Sequence, residues 1–346
     1  MKSQSADFQI TIYFFTALVV SYIMVIMTDT FWTKLKKPII GLSPMDGVTD
    51  AAFRAVTDSI GHPSVLYTEF VSAEGFARHP EKLAIHFVTH VTQTPLVIQF
   101  FTSKPSELEK AIRMLGDMNI SGIDLNMGCP NNHVVHHGGG AGLIRTPSIA
   151  GKLIRTAKKT VKDMGKDWPI SVKTRIGLDS IITEEWISLL LAEKPAAIAL
   201  HGRTLTQMYT GVANWDEIGK ASQIAHGTKT LLFGNGDIRS LGDANSKAKT
   251  YSPDGVLIGR GSFGNPWVFT DHVPTIRERI EAALLHCEWF EKFYGTSYVL
   301  PLRKHLAWYV KGFPNASEVR VKLVQVNSID EAKKILTEMR VQTSTS

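Results

Sequence analysis

Cysteine is scarce in this chain: Cys129 and Cys287 are the only two among 346 residues. Two thiols exclude a disulfide framework and a four-cysteine zinc site, and they leave a reducing, cytoplasmic compartment as the expectation. Charge is close to balanced, with 38 Lys and Arg against 32 Asp and Glu. The small basic excess suits a polyanionic partner and equally suits many enzymes that have none. Charge vanishes altogether from Phe8 to Thr28, a stretch long enough to span a bilayer. No small-x-small site precedes Lys34, Lys36 and Lys37, so a secretory signal fits poorly. Besides a buried helix, two readings stay open. Residues 8–28 make membrane contact as an anchor, with those lysines holding the rest of the chain in the cytoplasm. Alternatively, translation starts at Met27 and the upstream segment is never made.

The chain also lacks a GxGxxG after its first strand pattern, which weakens a doubly wound dinucleotide fold. What it has is a run of short apolar segments alternating with amphipathic ones. Strands are expected at Ile39–Ser43, Val65–Phe70, Leu96–Phe100, Gly122–Asn126, Ile170–Thr174, Ala197–His201, Thr230–Gly234 and Gly255–Gly259. Each is rich in aliphatic and β-branched residues, as strands buried on both faces are. Helical patterns at Ser106–Leu115, Ser148–Asp163 and Glu184–Ala192 fall between them, two of them opened by Pro105 and Pro147. Eight such alternations predict an α/β fold, a (β/α)8 TIM barrel. After Trp267 the strand pattern stops, and helices are expected at Val273–Phe293, Leu302–Val310 and Ile329–Met339. The expected organisation is a hydrophobic segment and linker over 1–37, a catalytic barrel over 38–266, and a small helical domain over 267–346. Thr343–Ser346 are expected to be disordered.

In such a barrel the strand ends and the loops after them build the active site. Polar residues and glycines gather there: Asp46, Gln99, Asn126, Cys129, Lys173, Arg175, His201, Arg203, Asn235, Gly236, Asp237, Gly259 and Arg260. Gly236 and Gly259, in the last two loops, allow backbone amides to approach a phosphate; singly, each is also an ordinary tight turn. Lys173 can neutralise charge on a reduced isoalloxazine ring or stand as a solvated edge residue. Gln99 and Asn235 can bond a flavin edge or satisfy loop backbone. His201 can bind a ligand or pack as a core group. Arg175 and Arg203 suit a phosphate or a pyrimidine carbonyl, or else ion pairs with Asp237 or Asp179. Cys129 lies between Gly128 and Pro130 on a loop, whereas Cys287 sits among apolar residues and reads as a small core group. A mostly protonated thiol on a loop can serve as a general acid.

The motifs PMDGVTDAAFR at Pro44–Arg54, LNMGCP at Leu125–Pro130, GGGAGLIRTP at Gly138–Pro147 and VKTRIG at Val172–Gly177 resemble those of bacterial-type tRNA-dihydrouridine synthases. LHGRTLTQMYTGVANW at Leu200–Trp215, GNGDI at Gly234–Ile238 and IGRGSFGNPW at Ile258–Trp267 continue the series in order. RKHLAWYVKGFP at Arg303–Pro314 extends it weakly. The resemblance implies an FMN enzyme with NADPH as reductant, which reduces a D-loop uridine of tRNA. It implies hydride delivery from reduced FMN to C6 and a proton from Cys129 to C5. Pro44, Met45, Gln99, Lys173 and His201 would then hold the flavin, and the loop at Asn235, Gly236, Asp237, Gly259 and Arg260 its phosphate. Asn126 would orient the uracil, with Arg175 and Arg203 on the substrate side. Arg303 and Lys304, with Lys311, Arg320 and Lys322, would give the helical domain a tRNA-binding surface. The chain departs from the family pattern at Asn131–His133, at Phe100–Lys104, which lacks a glycine, and in its N-terminal segment. Two rivals are an FMN barrel acting on a small molecule, such as dihydroorotate or an enone, and a non-catalytic RNA-binding relative.

Overall fold

The computed structural model describes residues 30–90, 94–313 and 315–343. The segment 8–28, its Met27 and the last three residues lie outside that range. Thr30–Leu35 carries one 3-10 turn, at Phe31–Lys34, and belongs to a separate unit; from Lys36 onward the chain is one compact unit.

Eight parallel strands run β1 Ile39–Leu42, β2 Leu66–Ser72, β3 Leu96–Phe101, β4 Gly122–Met127, β5 Ile170–Arg175, β6 Ala197–His201, β7 Leu231–Asn235 and β8 Gly255–Ile258. Each pairs with its sequence neighbours from β2 to β8, and β1 pairs with β8. The seam between β1 and β2 is closed by the Leu42 N–H donating to the Val65 carbonyl at 3.0 Å and the Ser64 N–H donating to the Ile40 carbonyl at 2.8 Å. This is the expected (β/α)8 barrel, and all eight expected strands lie within two residues of the observed ends. Every residue of β1, β4 and β8 is buried, because helices cover one face and the barrel interior the other.

The helices are α1 Ala51–Gly61, α2 Ala73–Arg78, α3 Pro80–Leu83, α4 Pro105–Met114, α5 Asn132–His136, α6 Pro147–Asp163, α7 Thr183–Ala192, α8 Trp215–Ala225 and α9 Leu241–Tyr251. After β8 come α10 Ile276–Tyr294, α11 Leu300–Tyr309, α12 Ala316–Leu323 and α13 Ile329–Thr343. Their starts follow local chemistry: Asp50 caps α1 by accepting from the Phe53 N–H at 2.8 Å, and Thr275 with Glu278 forms a capping box at α10. The last four helices pack around Ala283, Cys287, Phe290, Leu302, Leu306, Leu323 and Leu336, and Ala52 and Val56 of α1 belong to the same cluster. Among the described residues, no helix is long and apolar enough to cross a membrane.

Candidate active site at the mouth of the barrel

Strand register decides which side chains meet. In a parallel sheet, residues directly across from one another point to the same face, and every second residue along a strand joins them. Gln99 lies opposite Asp124, and Asp124 opposite Ser171. Two residues further toward the strand ends Asn126 lies opposite Lys173; beyond that, Arg175 faces His201 and His201 faces Asn235. These rows of polar groups fill the carboxyl end of the barrel, beneath a cavity of about 570 Å³. That is the size of a pocket for a cofactor-sized ligand.

The cavity is lined by Pro44, Met45, Gln99, Asn126, Cys129, Lys173, Arg175, His201, Asn235, Gly236, Asp237, Gly259 and Arg260. Three residues expected at the site do not line it. Arg203 is 1% exposed and lies behind the wall. Its guanidinium donates to the Asp237 carboxylate at 2.7 and 3.0 Å and to the Gly211 carbonyl at 2.7 Å, so the ion-pair reading describes where it stands. Arg303 donates to the Val326 carbonyl at 2.8 Å and to Asn327 at 3.2 Å, tying α11 to the loop before α13. Lys304 is exposed beside the rim: a Cβ placed on Gly47 would lie 3.0 Å from its Nζ.

Cys129 is 8% exposed, and its thiol is pushed above the ordinary range by burial, with the Asp46 carboxylate adding to the effect. It therefore stays protonated at neutral pH. The Asn131 backbone, Arg175 and Lys173 oppose the rise, so a thiolate once formed has cationic company. Lys173 itself is brought down to about 8 by burial and by Arg175. His201 is held well below its usual value by burial and the cations around it, and is neutral. An Arg203 N–H donates to His201 Nε2 at 3.3 Å, which puts the imidazole hydrogen on Nδ1.

The loop that carries Cys129 is held from three sides. The Asn126 carboxamide oxygen accepts from the Cys129 N–H at 2.8 Å and the Gly128 N–H at 3.1 Å. The Cys129 carbonyl accepts from the Ala141 N–H at 3.1 Å. Arg175 donates to the Gly128 carbonyl at 2.7 Å and to the Thr204 and Met208 carbonyls at 3.0 and 3.1 Å. On the opposite side, Gly236 has φ +132, and a Cβ there would fall 2.5 Å from Ala213 Cβ. Only glycine makes that turn. Gly259 heads the 3-10 turn Arg260–Ser262, and Arg260 donates to Asp237 at 2.8 Å.

Several lining residues escape reasoning from sequence: Phe70, Asn131, Met208, Tyr209 and Phe263. Tyr209 is 58% exposed with the Arg260 guanidinium 5.7 Å from its ring centre, and an aromatic in a polar loop is the signal that could have found it. Asp124, buried under the floor, gave no signal because it sits inside a strand. Cys287 is 0% exposed in the helical core with its thiol pushed up to about 12, the small apolar group its neighbours suggested.

A closed parallel barrel with a protonated thiol, a half-buried lysine and glycine turns at one mouth is a (β/α)8 barrel whose site suits oxidoreductase chemistry. A family model described as "Dihydrouridine synthase (Dus)" matches residues 41–345. A "Probable tRNA-dihydrouridine synthase" of Staphylococcus aureus (strain MRSA252) is 34% identical over 330 residues, covering 91% of this chain and 97% of that protein. A "Probable tRNA-dihydrouridine synthase 2" of Bacillus subtilis (strain 168) is 32% identical over 319 residues, covering 90% and 96%. The chain belongs to the dihydrouridine synthase family, as its motifs implied, and by class it is a flavin-dependent oxidoreductase, a tRNA-dihydrouridine synthase. A histamine dehydrogenase structure from Rhizobium sp. 4-9 is similar over 72% of this chain and 49% of its own at 12% identity and a TM-score of 0.46, too weak a likeness to bear on the reading.

Proposed function

We propose that this protein reduces a D-loop uridine of tRNA to 5,6-dihydrouridine, with Cys129 as the proton donor. The observation that carries the reading is a thiol kept protonated by burial, at the edge of a cavity that presents amide, imidazole and ammonium groups among apolar side chains. That donor set suits a flat ring with polar edges. Gln99, Lys173, His201 and Asn235 would hold the ring of FMN, with Pro44 and Met45 beside it. The backbone at Gly236, Asp237, Gly259 and Arg260 would hold its phosphate. FMN, when bound and reduced by NADPH, supplies the hydride that C6 of the uracil receives.

The chain's own residues do the rest. The uracil must leave its stack to reach the cavity. Hydride arrival at C6 builds negative charge over C5 and the neighbouring carbonyl. The Cys129 S–H transfers its proton to C5, the new C–H bond forms, and the sulfur keeps the electron pair as thiolate. Arg175 and Lys173 stabilise that thiolate until water returns the proton. Asn126 would orient the base next to the acid. Residues 38–266 would form the catalytic barrel and 267–346 the tRNA grip, to which the exposed Lys304 and Lys322 would contribute positive charge. Two free thiols suit a cytoplasmic enzyme.

The test is Cys129→Ala. The variant should purify with flavin bound and be reduced by NADPH at the wild-type rate, yet lose uridine reduction on unmodified tRNA by about 100-fold or more. Undiminished dihydrouridine formation would remove Cys129 from the mechanism. Mapping dihydrouridine in tRNA from a deletion strain identifies the position reduced.

A further inference from the structure

Asp124 is wholly buried beneath the cavity floor. Its two oxygens are both occupied: the Ser171 hydroxyl donates to one at 2.6 Å and the Gln99 amide nitrogen donates to the other at 2.6 Å. From there the chain of bonds runs in one direction. The Asn126 amide nitrogen donates to the Gln99 oxygen at 2.9 Å, and the Asn126 oxygen accepts from the Cys129 N–H at 2.8 Å. A carboxylate only accepts, so Gln99 must turn its NH2 toward Asp124 and its oxygen toward Asn126. Asn126 must then turn its NH2 toward Gln99, which leaves its oxygen for the loop amides. Reversing either carboxamide would set donor against donor or acceptor against acceptor in a dry interior.

We propose that Asp124 is a positioning residue: it sets the direction of the Gln99 and Asn126 carboxamides and through them holds the loop that carries Cys129. It does not line the cavity. The functional meaning rests on Cys129 being the acid, but the arrangement itself is open to test without activity.

The test exploits polarity. In N126D, the carboxylates at 124 and 126 both require the single NH2 of Gln99, and one is left facing an oxygen. In the double variant D124N/N126D, the amide at 124 accepts from Ser171 and donates to the Gln99 oxygen. Gln99 then turns over and donates to the carboxylate at 126, whose other oxygen still accepts from the loop. We expect N126D to melt at lower temperature and its Cys129 to react with iodoacetamide about tenfold faster than in wild type. Adding D124N should restore the melting temperature and bring alkylation back to within about threefold of wild type. The readout does not depend on Cys129 being the acid, so an active Cys129→Ala would overturn that role of the thiol and leave this result standing. Losses that merely add in the double variant, or a double variant that folds no better than N126D, would overturn the role of Asp124.

Discussion

Gly140 passes so close to Cys129 that a Cβ added to it would lie 2.7 Å from the Cys129 carbonyl oxygen and 3.1 Å from Cys129 Cβ. Its φ of +54 also falls where side chains are strained. Gly140, in the glycine run after the cysteine, is thus a packing surface for the Cys129 backbone. Gly140→Ala should cost roughly 1–3 kcal/mol in urea unfolding and lower uridine reduction about tenfold. Gly165, with φ +66 and open space around it, is the control: Gly165→Ala should leave uridine reduction as it was.

The thiol makes a prediction in pH. Burial and Asp46 raise Cys129 above its ordinary value, so alkylation in the native protein should climb only at pH above the range of an ordinary thiol. Uridine reduction should hold across neutral pH and decline as the thiol ionises. Asp46→Asn removes one cause of the rise and should move the alkylation midpoint down. A midpoint near neutrality in the wild type would contradict the assignment of Cys129 as an acid.

Strand positions were legible because each strand is buried on both faces and reads as a bare apolar run. The cluster at the mouth was legible because polar residues gather at the strand ends, where the cavity lies. Direction was not. Arg203 and Arg175 look alike in sequence, yet Arg203 turns behind the wall to meet Asp237 while Arg175 lines the cavity. Helix α12 was missed because Val319, Val321 and Val324 alternate with charges and give no clear stripe. Helix α5, only five residues long, hid in a loop whose start depends on Asn131 accepting from the His133 N–H at 2.9 Å.

Asp50 yields a stability prediction. Burial raises its carboxyl to about 7 in the folded protein, with His305 Nε2 3.5 Å from one oxygen and Arg54, Glu69 and Lys304 acting on it at longer range. The unfolded chain releases that proton near the ordinary carboxylate range, so between the two values the fold binds more protons. Its contribution is complete at low pH and is lost as pH rises through about 7. From pH ~5 to ~8 the wild type should therefore lose more unfolding free energy than Asp50→Asn. Equal losses in urea titrations at the two pH values would refute the shift.

The two neighbours on α11 should separate structure from grip. Arg303→Ala breaks bonds to Val326 and Asn327 and should lower the melting temperature. Lys304→Ala leaves the fold alone and should weaken tRNA binding, with a shallower dependence of affinity on salt. Identical melting and binding profiles for the two variants would show that neither assignment holds.

Helix α1 serves two masters. Phe53 packs into the barrel core, while Ala52 and Val56 lie in the core of the last four helices. The Tyr294 hydroxyl at the end of α10 accepts from the Ala51 N–H at 3.0 Å. A chain ended at Trp267 would uncover that apolar face and leave the Ala51 amide without its partner. The barrel of this protein is therefore not a module to be cut free or traded between enzymes. Evolution could refit the helices only together with the first helix of the barrel.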